Sequence, residues 1–449
     1  MKKLWSKNTE AQHPWKEKVA HFTIGKDNET DMIFAEYDVL GTLAHVKMLV
    51  SQGLLLEQEW HKIKPALILI YKDILAGNFS ISEGVEDIHS EVEFRLTEQL
   101  GDLGKKVHSG RSRNDQVILD LKLVTRAKIE ALVLNIQALF ELLLVKSDAF
   151  KHILLPGYTH LQIGMISSAG LWLSAYAESL IDDMEMLLAA FKIVNKNPLG
   201  SGAGYGGSLP LDRDKTTDLL GFDTLNINSV YAQMTRGKME KATAAALAAL
   251  SSTLSKFAFD ITLYLSQNFD FISFPNELTT GSSIMPHKKN PDVFELIRAK
   301  SNKIQNLPNQ LTLITNNLPS GYHRDMQEMK AIFLEALDET SQCVEMMTFM
   351  LEHISFRENI LEDQKYLPLF SVEKVNQLVQ EGVPFRDAYI QVGLAVEQGR
   401  FEMPELTPHS HIGSKDNLQL ERIKKGFQNV LEQFPFEKLH NSLKKLVSN

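Results

Sequence analysis

The chain has 449 residues, of which 44 % are apolar and 23 % charged, and its formal net charge is −9 at pH 7. This composition is typical of a soluble globular protein with a large core. The acidic balance argues against broad binding to nucleic acid, which needs a basic face to neutralise phosphates. The single cysteine, Cys343, excludes an intrachain disulfide and is predicted to be a packed side chain, not a nucleophile.

No targeting signal or membrane span is expected. Residues 1–6 are followed by charged residues without an apolar h-region. The longest stretch without Asp, Glu, Lys or Arg runs from Ile153 to Ala177 and contains Pro156, Gly157 and several serines, so we predict a buried soluble segment. Together with the cysteine usage, these features predict a cytoplasmic protein that does not bind membranes.

Helical periodicity dominates the chain, and strand-like alternation is scarce. Between residues 117 and 149 apolar residues recur mostly three or four apart, without proline or glycine, which predicts one helix of about nine turns. A second helical run, rich in alanine, spans roughly residues 229–270. A third is predicted to begin at Asn290-Pro291-Asp292, where Asn suits the N-cap, Pro the first turn and Asp the positive end of the helix dipole.

These runs predict an all-α protein with three helical domains. The predicted domains are an N-terminal one over residues 1–108, a central long-helix bundle over 109–354 and a C-terminal one over 355–449. Helices of this length exceed what one small domain needs. We therefore expect an elongated bundle whose apolar surface is completed by other subunits.

Two motifs could suggest bound groups. Residues 202–207 form a G-x-G-x-x-G pattern, but a dinucleotide site needs a strand before the pattern and a helix after it, and the preceding residues look helical. A mobile or close-packed loop near a ligand is the favoured interpretation. His409 and His411 lack a third ligand at a clear spacing, so no metal site is predicted.

Residues 281–291, GSSIMPHKKNP, combine small residues with a helix start. The serines offer hydroxyl groups, Lys288 offers a positive charge, and the N–H groups of a helix start favour anions. Gly281 and its neighbouring serines also permit loop movement. On this chemistry alone, a surface loop with a helix cap remains an alternative to an active-site loop.

The same segment resembles the G-S-S-x-M-P-x-K-x-N signature of the fumarase/aspartase superfamily, whose members release fumarate by elimination. Residues 86–89, 108–116 and 321–330 are similar to argininosuccinate lyases in particular. Further matches at residues 37–45, 155–162 and 382–388 extend the resemblance over about residues 30–395. The resemblance implies a fumarase/aspartase-like homotetramer that splits argininosuccinate into arginine and fumarate without a cofactor or metal, at sites shared between subunits.

The resemblance also implies four catalytic residues. Ser282 would be the base, and its alkoxide would need stabilisation by loop N–H groups and positive charge. Lys288 would hold the carboxylate whose charge grows in the transition state. His160 would lie on the acid side, paired with Glu295, which would orient the imidazole and raise its pKa.

A substrate-binding set follows from the same matched segments. Its members are Ser112, Arg113, Asn114, Thr159, Asn290, Tyr322, Gln327, Lys330, Asp87, His89 and Arg236. From spacing alone, a lone histidine such as His160 is more often structural than functional. For Arg236 and Lys330, a solvated salt bridge remains the alternative to a binding role.

The chain departs from the family pattern in four places. The usual N-terminal serine is not found in residues 22–27, and Gly237 replaces the acidic residue that normally follows the arginine matched by Arg236. The glycine loop reads GAGYGGSLP, and the tail around residues 407–414 is unlike the usual ending. The first two departures concern substrate contacts and leave the reaction class unchanged.

Two alternatives compete with this interpretation. One is another fumarate-releasing lyase of the superfamily, such as an adenylosuccinate lyase, which the segments at 109–116 and 322–330 disfavour. The other is a non-catalytic structural protein, as in the related eye-lens crystallins. Such a protein would be marked by loss of catalytic residues, whereas His160, Ser282, Lys288 and Glu295 are all present.

Overall fold

The computed structural model describes residues 15–448 and is predominantly α-helical. The segment in which no signal peptide was expected, residues 1–6, lies outside the described residues. The N-terminal part contains α1 (Trp15–Ile24), α2 (Asp27–Ile33), α3 (Ala35–Ser51), α4 (Glu57–Leu75), α5 (Ile88–Leu100) and α6 (Asp102–Lys105).

The central part is built on long helices that pack side by side. They are α7 (Arg113–Phe150), α8 (Ala169–Val194), α9 (Arg213–Leu219), α10 (Ser229–Met234), α11 (Lys238–Leu265), α12 (Asp292–Gln305), α13 (Leu307–Ile314) and α14 (Met329–Glu352). Helix α7 packs on α8 and α14, and α11 packs on α8 and α12. The faces between these helices form one continuous apolar core.

The C-terminal part packs against the helices that precede it. It contains α15 (Ser371–Gln380), α16 (Phe385–Glu397), α17 (Leu420–Leu431) and α18 (Phe436–Ser448). Helix α17 packs on α8, and α18 packs on α3 and α9. Phe427 of α17 stacks on Phe140 of α7 with ring centroids 4.0 Å apart. The division into three domains stays a prediction.

Short β-strands lie between the helices. The strands are β1 (Leu154–Thr159), β2 (Gln162–Ser168), β3 (Lys196–Asn197), β4 (Thr224–Leu225), β5 (Ile272–Ser273), β6 (Thr280–Gly281), β7 (Lys289–Asn290) and β8 (Ser355–Phe356). Strands β1 and β2 form an antiparallel hairpin, β3 pairs with β4 in parallel, and the β5–β8 and β6–β7 pairs are antiparallel.

Helix α7 confirms the predicted long helix over residues 117–149 and extends it at its N-terminus. Ser112 caps the helix, and the Asp115 carboxylate accepts a hydrogen bond from the Ser112 backbone N–H at 2.8 Å. This reciprocal capping box fixes where the helix begins. The helix spans 38 residues because neither proline nor glycine interrupts its buried stripe.

The second predicted run is interrupted, and its predicted end is too late. Helix α10 ends at Met234, Gly237 has φ +77°, and α11 begins at Lys238 and ends at Leu265. A positive φ is inexpensive only for glycine, so Gly237 permits the break. The stretch Ser229–Leu265 is apolar enough by composition to cross a membrane, but half of its most apolar window is buried in the protein, as is typical of a core helix.

The predicted N-cap at Asn290 is wrong. Asn290 lies in β7, paired with Thr280 of β6, and Pro291 occupies the position before α12. The β6–β7 pairing holds Asn290 in extended backbone, and its side-chain amide donates to Thr280 Oγ1 at 3.4 Å. Tertiary pairing has therefore overridden the local capping preference.

The predicted buried segment over residues 153–177 is buried only in part. Its first half forms the β1–β2 hairpin, whose tip, residues 159–162, is exposed. His160 and Leu161 have φ of +54° and +57°, which closes a two-residue turn of the kind that suits hairpin twist. Cys343, as predicted, is buried in α14, and burial raises the pKa of its thiol to about 11.

Candidate active site

Most of the predicted site residues fall into two groups with opposite surroundings. Asp87, His89, Arg113, Gln327 and Lys330 come together, and with their partners we call them the charged cluster. The other group, which we call the outer segments, consists of the hairpin tip (residues 159–162), the serine loop (residues 280–290) and the first turn of α12 with Glu295.

In the charged cluster, Arg113 is held by acidic residues at the start of α5. Its guanidinium lies 3.3 Å from carboxylate oxygens of both Glu86 and Asp87, and it donates to Ser90 Oγ at 2.5 Å. Asp87 also caps α5 by accepting the Ser90 backbone N–H at 2.8 Å. Burial alone would raise the pKa of Asp87, but His89 and Arg113 outweigh it and lower the pKa.

His89 lies buried between carboxylates. Its Nδ1 is 2.7 Å from Asp38 Oδ1 and 3.6 Å from Asp120 Oδ2. Burial opposes the charged imidazolium, but the hydrogen bond and charge of Asp38, together with Asp87 and Asp120, raise the pKa of His89 to about 9. Burial and the neighbouring Asp38 raise the pKa of Asp120 well above its usual range.

Asp38, His89 and Asp120 also have residue types that bind metals, and their ligand atoms lie within 4.8 Å of one another. In this structure, however, the imidazole Nδ1 is used in the hydrogen bond to Asp38. Sequence reasoning missed Asp38 and Asp120 as members of the cluster. The available signal was an acidic residue, Asp120, inside the apolar stripe of a predicted helix.

Lys330 and Gln327 tie the cluster to the N-terminal helices. The Lys330 ammonium, 6 % exposed, lies 2.5 Å from Asp27 Oδ1 and 2.8 Å from Asp31 Oδ1. Gln327 donates its side-chain N–H to the Thr23 carbonyl at 2.9 Å. The segment that departs from the family pattern, residues 22–27, therefore supplies Asp27 and the Thr23 carbonyl to the cluster, and Asp31 lies just after it. Sequence reasoning did not find these partners.

Ser112 and Asn114 lie at the start of α7, next to the glycine loop. Ser112 Oγ accepts the Asn114 backbone N–H at 3.2 Å. The second oxygen of Asp115 accepts the backbone N–H groups of Gly200 at 3.0 Å and Gly202 at 2.9 Å. Burial raises the pKa of Asp115 to about 6 despite these hydrogen bonds.

Arg236 is buried in an ion pair, which differs from the solvated salt bridge considered above. Its Nε donates to Glu240 Oε1 at 3.1 Å, and its Nη2 donates to the Met326 carbonyl at 2.8 Å. Arg236 thereby connects the break between α10 and α11 to the segment that carries Tyr322. The Tyr322 side chain is 36 % exposed. In this structure Arg236 positions that segment.

The serine loop closes on itself beside α12. Ser282 Oγ accepts the backbone N–H of Met285 at 3.1 Å and of Ile284 at 3.4 Å. The Thr280 hydroxyl donates to Asp292, which links the loop to the first turn of the helix. Lys288 and Glu295 are exposed.

The hairpin tip carries Thr159 and His160, and both side chains are exposed. Within residues 15–448, no hydrogen bond or ion pair joins His160 to Glu295 or to Ser282. The fold of one chain therefore gathers the charged cluster, whereas the catalytic candidates lie on surface segments.

Comparisons with known proteins extend these observations. A family model described as lyase matches residues 12–306. The chain is 55 % identical to an argininosuccinate lyase of Parabacteroides distasonis over 445 residues, covering 99 % of each chain. It is 54 % identical to an argininosuccinate lyase of Bacteroides fragilis, also covering 99 % of each. A solved structure of an EDDS lyase variant with bound fumarate superposes with a TM-score of 0.78 at 20 % identity, covering 98 % of this chain and 95 % of that one, which shows the shared fold.

Proposed function

The chain belongs to the argininosuccinate lyase family, and from that premise we propose that it cleaves argininosuccinate to arginine and fumarate at a site that combines the charged cluster with the outer segments. The observation that carries the proposal is the set of hydrogen bonds around the Ser282 hydroxyl. Two backbone N–H groups, from Met285 and Ile284, already donate to its Oγ. Such donors stabilise an alkoxide, which a serine needs in order to act as a base.

The proposed elimination moves one proton off carbon and one onto nitrogen. Ser282 removes the proton beside a succinyl carboxylate, and the resulting enediolate is stabilised by Lys288 and Asn290. The carbon–nitrogen bond then breaks, and His160, oriented by Glu295, donates a proton to the departing guanidine nitrogen. A positioned proton donor contributes about 10²–10⁴-fold to the rate.

The charged cluster and its neighbours are proposed to bind the rest of the substrate. Tyr322, Gln327 and Lys330 line the arginine or carboxylate end. Asp87 and His89 help to place the arginine part. Arg113 suits a carboxylate because its planar guanidinium can bind both oxygens.

The remaining binding residues are assigned by their places beside these groups. Ser112 and Asn114, at the start of α7, contact carboxylate and backbone-like groups of the substrate. Thr159, on the hairpin tip, hydrogen-bonds the fumarate moiety. No cofactor or metal takes part in the proposed reaction.

We further propose that each site is shared between subunits of a homotetramer. Within the described range, residues 15–448, no hydrogen bond or ion pair joins His160 to Ser282 or Glu295, and copies of the chain would bring them together. Large apolar side chains on the long helices support such an assembly, since exposed apolar patches mark interaction surfaces. These side chains are Leu134, Val145, Phe259, Leu296 and Phe349, which are 41–65 % exposed.

The cytoplasm is proposed as the location. The support is the absence of any possible intrachain disulfide, because Cys343 is the only cysteine, together with an ordinary soluble composition. A tagged copy recovered with the membrane fraction would contradict this proposal.

The decisive experiment is a substrate panel. Purified protein is incubated separately with argininosuccinate, adenylosuccinate, malate and aspartate, and fumarate is followed by its absorbance. Release from argininosuccinate alone is expected. Release from adenylosuccinate instead would favour another lyase of the superfamily, and no release from argininosuccinate would overturn the proposal. Sedimentation of the same sample tests assembly, and a fully active monomer would contradict shared sites.

A further inference from the structure

Residues 200–207, which include the glycine pattern at 202–207, are held by hydrogen bonds on both sides. Asp115 accepts the N–H groups of Gly200 and Gly202, and Gln233 donates its amide to the Gly202 carbonyl at 3.0 Å. The loop also folds onto itself, because the N–H groups of Gly204 and Gly206 both donate to the Ser201 carbonyl. Its conformation is therefore built by the fold and not left to solvent.

The glycines are required by this conformation. Gly204 has φ +101°, and a Cβ there would lie 2.9 Å from Gln233 Cγ. Gly202 has φ +59°, and a Cβ there would lie 3.3 Å from the Gly206 carbonyl oxygen. Only glycine combines such dihedrals with such close packing. The glycines therefore allow this one loop conformation.

This loop carries a large exposed side chain, that of Tyr205. Tyr205 is 76 % exposed, and no hydrogen bond of its hydroxyl to another residue in the range 15–448 is recorded. A buried anchor that presents an exposed aromatic ring is a common arrangement for ligand contact, because the ring adds contact area at low conformational cost.

The position of Tyr205 points to a particular part of the site. Its hydroxyl lies 3.9 Å from the point where a Cβ on Gly321 would stand. Gly321 has φ +110° and begins the segment that carries Tyr322, Gln327 and Lys330. The other anchor of the loop, Asp115, also caps the helix that carries Ser112 and Arg113. Tyr205 thus stands on a loop that is bonded to the start of α7 through Asp115 and whose tyrosine hydroxyl approaches the segment that begins at Gly321.

We infer that Tyr205 is a substrate-contacting residue that covers the arginine end of argininosuccinate and contributes to specificity for that end. This inference rests on the proposed function. The ring can lie against the cationic guanidinium or the aliphatic stem of the arginine moiety, since aromatic faces attract cations. The hydroxyl can donate to a carboxylate or accept from an amino group. The residues proposed for the fumarate end, Ser282 and Thr159, lie on the outer segments and not on this loop.

The test compares Tyr205→Ala and Tyr205→Phe in the full-length, assembled protein. Turnover and KM are measured with argininosuccinate, and inhibition constants are measured separately for arginine and for fumarate. We expect Tyr205→Ala to raise KM and the arginine inhibition constant about tenfold, with the fumarate constant and turnover nearly unchanged, because uniform binding of a remote group lowers KM without raising turnover. Tyr205→Phe should retain most of the arginine affinity, because the ring supplies most of the contact.

The control is Tyr389→Ala, which removes another exposed tyrosine, on α16, and should leave all constants unchanged. The inference is overturned if Tyr205→Ala changes neither inhibition constant, if it weakens arginine and fumarate equally, or if its loss of activity follows dissociation seen by sedimentation. Failure of the proposed function is recognised separately, because the parent protein would then release no fumarate from argininosuccinate.

Discussion

The charged cluster and the outer segments differ in how far the fold of one chain fixes their side chains. In the cluster, cations and carboxylates are buried and paired with one another, so the fold of one chain already holds them in place. In the outer segments, Ser282, His160 and Glu295 lie on a loop, a hairpin tip and a helix start, where His160 and Glu295 are exposed and Ser282 is half-buried. Binding groups gain from preorganisation, whereas loops that carry the chemistry can complete a site when substrate binds.

The first way to test this contrast is to remove the proposed base. Ser282→Ala should lower turnover by about 10³-fold or more while fold and substrate binding stay largely intact, because the hydroxyl acts only in the transition state. Little cavity is expected, since Ser282 is half-buried in a surface loop. The measurements are single-turnover kinetics and calorimetric binding of argininosuccinate.

Ser283→Ala is the control for this substitution and should be impaired less. If Ser282→Ala keeps near-normal turnover while Ser283→Ala is inactive, the assignment within the pair is reversed. If both variants stay active, the base is not a serine of this loop.

The second test asks whether outer segments from different chains meet. His160→Asn should lose about 10²–10⁴-fold in turnover, as expected for a positioned proton donor. Mixing this variant with Ser282→Ala and allowing subunits to exchange should restore part of the activity, since some sites then receive both intact residues. Exchange is verified by mass-tagged subunits, and unchanged inactivity after verified exchange would show that the sites are not shared.

The third test concerns the buried ion pair beside the cluster. Glu240→Gln should lower the free energy of unfolding by about 3–5 kcal/mol, because it leaves the buried Arg236 charge uncompensated. Urea denaturation measures this loss. Glu335→Gln is the matched control: its carboxylate pairs with Lys303 at 2.7 Å, but both side chains are more than half exposed, so about 1 kcal/mol or less is expected. Equal losses in the two variants would contradict the stabilising role of burial and pairing at Arg236.

The fourth test uses pH to probe His89. Its pKa is raised from 6.5 to about 9 in the folded protein, so the native state binds the proton more tightly than the unfolded state. The stabilisation is fully present below pH 6.5 and is lost as the pH rises through about 9. It amounts to about 3 kcal/mol, at about 1.4 kcal/mol for each pKa unit.

Asp38→Asn removes the main partner of His89, so the stability difference between parent and variant should shrink between pH 6.5 and 9. Glu373→Gln is the control, since it breaks a more exposed histidine–carboxylate pair with His409, separated by 3.1 Å. Urea denaturation across this pH range compares them. A parent-to-variant difference that does not depend on pH would show that His89 does not carry the charge assigned to it.

Local patterns in the sequence predicted the elements that depend on local rules. The apolar stripe of α7 needs only helical spacing and the absence of proline and glycine, although the capping box at Ser112, which fixes where the helix begins, was not predicted. The same local reasoning failed at Asn290, because pairing with β6 competes with capping. It also missed the β1–β2 hairpin, whose apolar residues do not distinguish a strand from a buried helix by period alone.

The sequence by itself determined the family, the helical class and the identities of the catalytic and binding candidates, because motifs and periodicity are properties of short segments. Only the tertiary structure decided which of them meet. Lys330 contacts Asp31 across 299 residues of chain, and neither Asp27 nor Asp31 was among the site residues predicted from the sequence. Such contacts arise from how long helices pack, since burying charges is favourable only when the fold brings opposite charges together.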